Sequence, residues 1–130
     1  MTMTTYHPDL AAGRWHTLSL ANQLGNVGSE YERASSWKER GDEIRFELAF
    51  ARLLELVDLT IADPRWRNHR LKELTRLREV ICDELFSEIP EFNHPTDLRE
   101  YFLYFGILAR SERDNAADAA VVPNNNGGRQ

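Results

Sequence analysis

Few residues of this chain have the type and spacing that chemistry at an active site requires. Glu91 and His94 form a Glu-x-x-His pair, the spacing that di-iron helix-bundle proteins use on two of their helices. The chain holds four histidines, and none of the other three follows a carboxylate at this spacing. The pair also lies between Pro90 and Pro95, which favours a loop. The sequence therefore predicts no metal site.

Nucleophilic catalysis has no support in the sequence. The chain contains no Gly-x-Ser-x-Gly motif, no phosphate-binding glycine loop and no dinucleotide fingerprint. Gly25 and Gly28 lie inside a helical pattern rather than between a strand and a helix. The single Cys82 excludes an internal disulfide and cannot complete a zinc site. We predict a protein that is not an enzyme and uses no cofactor.

One cluster of cations has a composition that attracts phosphates and bases, because guanidinium groups surround Trp66. The cluster comprises Arg65, Arg67, Arg70, Lys72, Arg76 and Arg78. The first five are the candidate nucleic-acid site. In a chain with a net charge of −5, the favoured interpretation is that these cations instead pair with acidic surface. The acidic residues available for this pairing include Asp83, Glu84, Glu88 and Glu91.

The elements that carry these residues are helical. The first predicted helix runs from about Trp15 to Arg40, with apolar residues at three-four spacing. Gly25 and Gly28 each cost roughly 1 kcal/mol relative to Ala, which indicates close approach of a neighbouring helix. Gln23 and Asn26 flank the apolar stripe and are candidates for bonds to another helix. Trp15 and Trp37 point away from the stripe, as interface aromatics do.

The second predicted helix, 42–62, is apolar on two opposite faces. One face carries Phe46, Ala49, Phe50, Leu53, Leu56, Val57 and Ile61. A helix apolar on both sides is enclosed by other helices or by another molecule. We therefore predict an oligomer interface on its second face, continued by part of the fourth helix, and expect Glu55 to form an ion pair between subunits. The interface residues are Ile44, Leu48, Ala51, Glu55, Leu59, Leu103 and Ile107.

Two further helices complete the predicted fold. Gly41 and Asp42 suit a tight turn and a cap between the first two helices, and the residue before Pro64 is pushed out of helix. The third helix spans about 66–87 and the fourth about 97–113. The expected fold is an all-α, single-domain, antiparallel up-down-up-down four-helix bundle over 14–113, between a flexible N-terminal arm, 1–13, and a disordered C-terminal tail, 114–130.

Composition places the protein among ordinary globular chains. Charged residues make up 28% and hydrophobic ones 42% of 130 residues. No stretch approaches the roughly 20 apolar residues of a membrane span, and the start lacks the pattern of a secretory signal. We expect a cytoplasmic protein with no membrane partner.

The first two helices carry a resemblance to one bacterial family. Ala21-Asn22-Gln23-Leu24, then Ser29, Gly41 and the segment from Phe46 to Leu56 resemble the first helical hairpin of the four-helix-bundle proteins named after the 23S rRNA intervening sequence. That family includes the accessory proteins of diversity-generating retroelements. The resemblance implies a homopentamer. Its retroelement members are strongly basic and bind nucleic acid and a reverse transcriptase, whereas this chain has a charge of −5.

The sequence thus supports two functional hypotheses. The first is a non-enzymatic, homo-oligomeric scaffold or accessory protein, pentameric by the resemblance, whose main partner is itself. The alternative is an accessory factor that binds nucleic acid through the start of the third helix.

Overall fold

Five α-helices and two short 3₁₀ turns make up the residues described by the computed structural model, 5–86 and 98–121. The elements are α1 (Pro8–Ala11), a turn at Arg14–Thr17, α2 (Leu20–Glu39), α3 (Glu43–Ile61), a turn at Pro64–Trp66, α4 (Arg70–Phe86) and α5 (Leu98–Val121). No strand occurs in these two ranges. The prediction of an all-α, single-domain fold is confirmed.

Local sequence signals explain most helix ends. Ser19 caps α2 by accepting a hydrogen bond from the Asn22 N–H, and Asp42 caps α3 in the same way for Arg45. Gly41 adopts the left-handed conformation, with φ of 73°, that ends α2. The predicted start of the first helix at Trp15 is wrong, because the backbone is extended at Leu18 and α2 begins only after the Ser19 cap.

The long helices pack against one another in pairs, of which α2 and α5 are antiparallel. Arg99 near the start of α5 lies 3.2 Å from Glu32 of α2, whereas Arg113 further along α5 lies 3.0 Å from Asn22. Residue numbers therefore rise along α5 as they fall along α2, so these two helices are antiparallel. On α3 and α4, the Arg78 guanidinium contacts the Asp58 carboxylate at 2.8 Å. Helix α2 therefore packs against both α3 and α5, while α3 also packs against α4.

One apolar cluster joins the inward faces of α2 to α5. Leu24 and Val27 of α2, Leu53 of α3 and Ile81 of α4 are each at most 1% exposed. The apolar face predicted on α3 is buried except at Ile61, which is half-buried, whereas Leu108, predicted to face the core from the last helix, is 38% exposed. Buried residues of α5 that complete the cluster are Leu98, Phe102, Phe105 and Ala109. None of the helices in the described ranges is long and apolar enough to cross a lipid bilayer.

Two expectations about the ends of the bundle are wrong. Trp15, assigned to an interface, is 1% exposed because it packs in this chain's own core. Helix α5 does not end at Arg113 but continues to Val121. The Glu91 and His94 pair, predicted to lie in a loop, falls outside the described residues.

The two glycines of α2 mark its close approach to α5, as predicted. A Cβ built on Gly28 would lie 2.5 Å from the Phe102 Cβ, a distance that real contacts do not reach. A Cβ built on Gly25 would lie 3.5 Å from the Gly106 Cα, which is ordinary van der Waals contact. Only Gly28 is therefore required by the packing.

We expect Gly28→Ala to destabilise the fold by roughly 1–3 kcal/mol, the usual cost of overpacking. Gly25→Ala is the matched control, since it adds the same methyl group to the same helix. It should leave stability unchanged or raise it by up to about 1 kcal/mol through helix propensity. Urea unfolding of both variants measures the difference. Equal stabilities would contradict the packing described for Gly28.

Candidate functional site

The second face of α3 is partly covered by the chain itself. The N-terminal segment, residues 5–18, runs across this face. The backbone N–H groups of Tyr6 and His7 donate to the Glu55 carboxylate at 2.8 and 2.6 Å, and the His7 Nδ1 lies 2.9 Å from it. Further along, the His16 ring nitrogen Nε2 lies 3.1 Å from the Leu59 carbonyl oxygen. The second face of the later turns of α3 is therefore partly covered by the N-terminal segment.

Glu55 is engaged within its own chain. Both carboxylate oxygens accept hydrogen bonds from the N-terminal segment, and the side chain is only 16% exposed. Burial alone would raise the pKa of Glu55, but the bonds from Tyr6 and His7 hold it below the ordinary value. All three of these donors belong to the same chain, and the expected ion pair between subunits stays a prediction.

His7 also approaches a second carboxylate. Its Nε2 lies 3.9 Å from Glu30 of α2, whose Oε1 accepts from Arg33 at 3.0 Å. The other oxygen of Glu30 is buried without a hydrogen-bond partner in the structure. No group of three metal-ligating side chains occurs within 5–86 and 98–121. The histidine and its two carboxylates thus hold the N-terminal segment against α2 and α3.

The exposed part of the predicted interface is smaller than the sequence indicates. Ile44 is 83% and Leu48 43% exposed on α3, while Leu103 and Ile107 are 62% and 61% exposed on α5. Ala51 and Leu59 are half-buried. The first turns of α3 and the outer side of α5 therefore present large apolar side chains, and their role in assembly remains a prediction.

A buried polar network joins the N-terminal segment to the turn after α3. Gln23 and Asp63 have no exposed surface, and Thr60 is 1% exposed. The side-chain amide nitrogen of Gln23 donates to the Trp15 carbonyl at 2.8 Å and to the Asp63 carboxylate at 2.9 Å. Its amide oxygen accepts from the indole N–H of Trp66 at 2.8 Å. The indole N–H of Trp15 donates to the Thr60 hydroxyl at 2.9 Å. Each of these buried groups is therefore satisfied, as stability requires.

Arg65 closes this network. Its guanidinium donates to the Asp63 carboxylate at 2.7 Å and to the Leu18 carbonyl at 2.5 Å, and stacks 4.5 Å above the Trp66 ring. Burial by itself raises the pKa of Asp63, but bonds from Arg65 and Gln23 outweigh it and lower that pKa to about 2. Arg65, a candidate nucleic-acid residue, thus has a structural role in its own chain.

The other candidate cations are largely paired as well. Arg70 lies 3.3 Å from Glu73, and Arg76 lies 3.7 Å from Glu79. Arg67 and Lys72 are exposed. Pairing with acidic residues is the interpretation that the sequence favours, and Glu73 and Glu79 are the acids beside Arg70 and Arg76. Of the acids named from the sequence, Glu88 and Glu91 fall outside the described residues.

Sequence patterns located some of these residues and missed others. Gln23 bonds across to another element, as expected, but the Asn26 amide donates to the Asn22 carbonyl of its own helix. His7 was assigned to the flexible arm and Asp63 only to a helix end. Two sequence features indicate these residues. Gln23 is a polar residue beside an apolar stripe, and Asp63 is an acidic residue directly before a proline.

Searches of protein-family models, of curated proteins and of solved structures each found no match to this chain. The geometry of the described residues is therefore the basis for a functional proposal.

The network predicts a specific pH dependence of stability. The pKa of Asp63 is lowered from 3.8 to about 2 in the folded chain, so its ionised form contributes about 2 kcal/mol to stability above pH 4. That contribution is lost as the pH falls from about 4 to about 2. Asp63→Asn should be less stable than the unchanged chain at pH 7, and the difference should shrink over this range. Urea unfolding at several pH values tests this.

The exposed Asp118→Asn serves as the control for the pH series, because it removes a carboxylate that lies outside the network. Its free energy of unfolding should equal that of the unchanged chain at every pH. If the free energy of unfolding of Asp63→Asn also matched that of the unchanged chain at every pH, the ionised carboxylate would not contribute the expected stability.

Docking of the N-terminal segment predicts a local effect of Glu55→Ala. Loss of the carboxylate removes the acceptor for the backbone N–H groups of residues 6 and 7, so their hydrogen exchange should speed up at least several-fold, while the core amides of α2 are unchanged. NMR-detected exchange provides the measurement. Glu47→Ala, an exposed position on the same helix, is the control. Unchanged exchange at residues 6 and 7 would contradict the docking.

Proposed function

We propose that this protein is a non-enzymatic, homo-oligomeric scaffold, built from a four-helix bundle whose outer apolar side chains contact other copies. The observation that carries the proposal is the exposure of large apolar residues in two places. On α3, Ile44 is 83% exposed, and on α5, Leu103 and Ile107 are 62% and 61% exposed. Ile44 with Leu48, and Leu103 with Ile107, are each four residues apart on one helix and form neighbouring pairs, which favour contact with another protein.

An up-down-up-down order of α2 to α5 agrees with the contacts between them. Consecutive helices α2 and α3 are joined by the tight turn at Gly41, and α3 and α4 by the short turn at Pro64–Trp66. Helices α4 and α5 contact each other through the Tyr101 hydroxyl, which donates to Glu73 at 2.9 Å. Antiparallel neighbours with short connections are typical of this bundle class.

Burying the exposed apolar side chains against another copy would lower the free energy of the protein in water. Fully burying one Leu or Ile side chain is worth roughly 1.5–3 kcal/mol, and four such residues stand on α3 and α5. Part of this gain offsets the loss of rotational and translational freedom on assembly. The polar surroundings, including Glu47 and Arg45 on α3, suit the rim of an interface.

The subunit number rests on the resemblance of the first two helices to the 23S rRNA intervening-sequence family. On that basis we propose a homopentamer. The docked N-terminal segment narrows the proposed contact on α3 to its first turns, around Ile44 and Leu48, because Glu55 and Leu59 are already covered.

Nucleic-acid binding is the weaker proposal. Arg65 is held by Asp63, and Arg70 and Arg76 lie beside acidic residues one turn away. Cations with carboxylate partners attract phosphates less than free ones. Arg67 and Lys72, both exposed, are the residues that would carry such an activity.

The proposal predicts an oligomeric mass in light scattering at micromolar concentration, and dissociation in Leu48→Glu, because a charge buried at the contact costs several kcal/mol. Thr75→Glu, which adds the same charge on the exposed surface of α4, is the control and should keep the full mass. A monomeric mass of the unchanged protein would exclude self-association at that concentration.

A further inference from the structure

The outer side of α5 carries a stripe of exposed residues at alternating spacings of four and three. We name it the α5 outer stripe; its members are Leu103, Ile107, Arg110, Asp114 and Ala117, all exposed. At roughly 100° per residue these positions stay within about 40° of one line along the helix. The opposite side of α5 carries Phe102, Phe105 and Ala109, which are buried in the core.

This spacing is that of the contact positions of a coiled coil. Its four members from Ile107 to Ala117 also have an internal symmetry, because their spacings of three, four and three are the same when read in either direction about residue 112. A second α5 laid antiparallel would therefore place Ile107 opposite Ala117 of the other copy, and Arg110 opposite Asp114. Leu103 would face the final turn of the other helix.

The charges of the stripe agree with this arrangement. Each antiparallel pair of helices would contain two contacts between Arg110 and Asp114, one on each side of the symmetry axis. Opposite charges meet in both, and a planar guanidinium can bind a carboxylate through two parallel hydrogen bonds. In a parallel pair, Arg110 would instead face Arg110, and Asp114 would face Asp114.

The length of α5 is a second, independent observation. Glu112 accepts a hydrogen bond at 2.7 Å from Ser19, the residue that caps the start of α2. Residues 114–121 therefore extend beyond the first turn of α2, and the side chains of 114–119 are exposed. A helix with little packing is marginal in water. Contact with another helix would supply the missing packing.

We propose that the α5 outer stripe forms a two-fold contact with the same stripe of a second copy, in antiparallel orientation. An isologous contact of this kind is the commonest in homo-oligomers. The inference rests on the self-association proposed above and goes beyond it: Leu103 and Ile107 form the two-fold contact, and Ile44 and Leu48 are left for the separate contact within the pentamer. Because a two-fold contact joins subunits in pairs, it would join two pentamers into one assembly with twice the mass of a pentamer.

Two single substitutions and their mixture test the contact. Arg110→Asp places Asp against Asp, and Asp114→Arg places Arg against Arg, so each variant alone should show half the mass of the unchanged assembly in light scattering. In an equal mixture, every Asp at position 110 meets an Arg at position 114 of the other variant. The mixture should regain the full mass. The chain that carries both substitutions should also assemble fully.

Controls separate assembly from folding. The substituted positions are exposed, so circular dichroism should show unchanged helix content. Asn115→Arg adds a charge on the same helix, about 120° away from the stripe, and should leave the mass unchanged.

The outcomes also separate this inference from the proposed function. Full mass in both single variants, or no recovery on mixing, would overturn the two-fold contact. If Leu48→Glu still lowered the mass in that case, self-association would stand without it. Recovery on mixing, together with full mass in Leu48→Glu, would support the contact on α5 and remove the one on α3. A monomeric unchanged protein would overturn both.

Discussion

The carboxylate of Asp63 is the constraint on which one end of the molecule depends. It is charged, and its side chain is only 1% exposed. An ionised group without compensating partners would cost several kcal/mol in such a place. Gln23 and Arg65 supply those partners, and each also binds a backbone carbonyl, of Trp15 and Leu18 respectively. Satisfying one charge thus fixes the position of three separate segments.

This constraint determines how the two-sided α3 is covered. The carbonyls of Trp15 and Leu18 hold the chain before α2 beside the end of α3, where the Trp15 ring enters the core. From there the N-terminal segment returns along α3 and reaches Glu55. The second apolar face is therefore divided: its later half is covered by the same chain, and its first turns remain exposed.

The sequence predicted those features that depend on nearby residues. Apolar periodicity identified the inward faces of the four long helices, and Gly41 with Asp42 marked the turn between α2 and α3. The close approach of α2 was predicted from Gly25 and Gly28. Periodicity did not predict contacts between distant residues: Gln23 and Asp63 are separated by 40 positions, and Trp15 and Thr60 by 45. For the same reason, the roles of Arg65 and Glu55 inside the chain were missed.

The N-terminal segment docks on α3 partly through main-chain N–H groups, which do not depend on the side chain. Glu55 binds the main-chain N–H groups of residues 6 and 7, which nearly every amino acid supplies. Docking therefore places little restriction on which side chain stands at position 6, and related chains can differ there while keeping the same covered face. Proline is the exception, because it lacks the N–H group. At position 6 the segment is therefore held by its main chain, whereas His7, Trp15 and His16 also use their side chains.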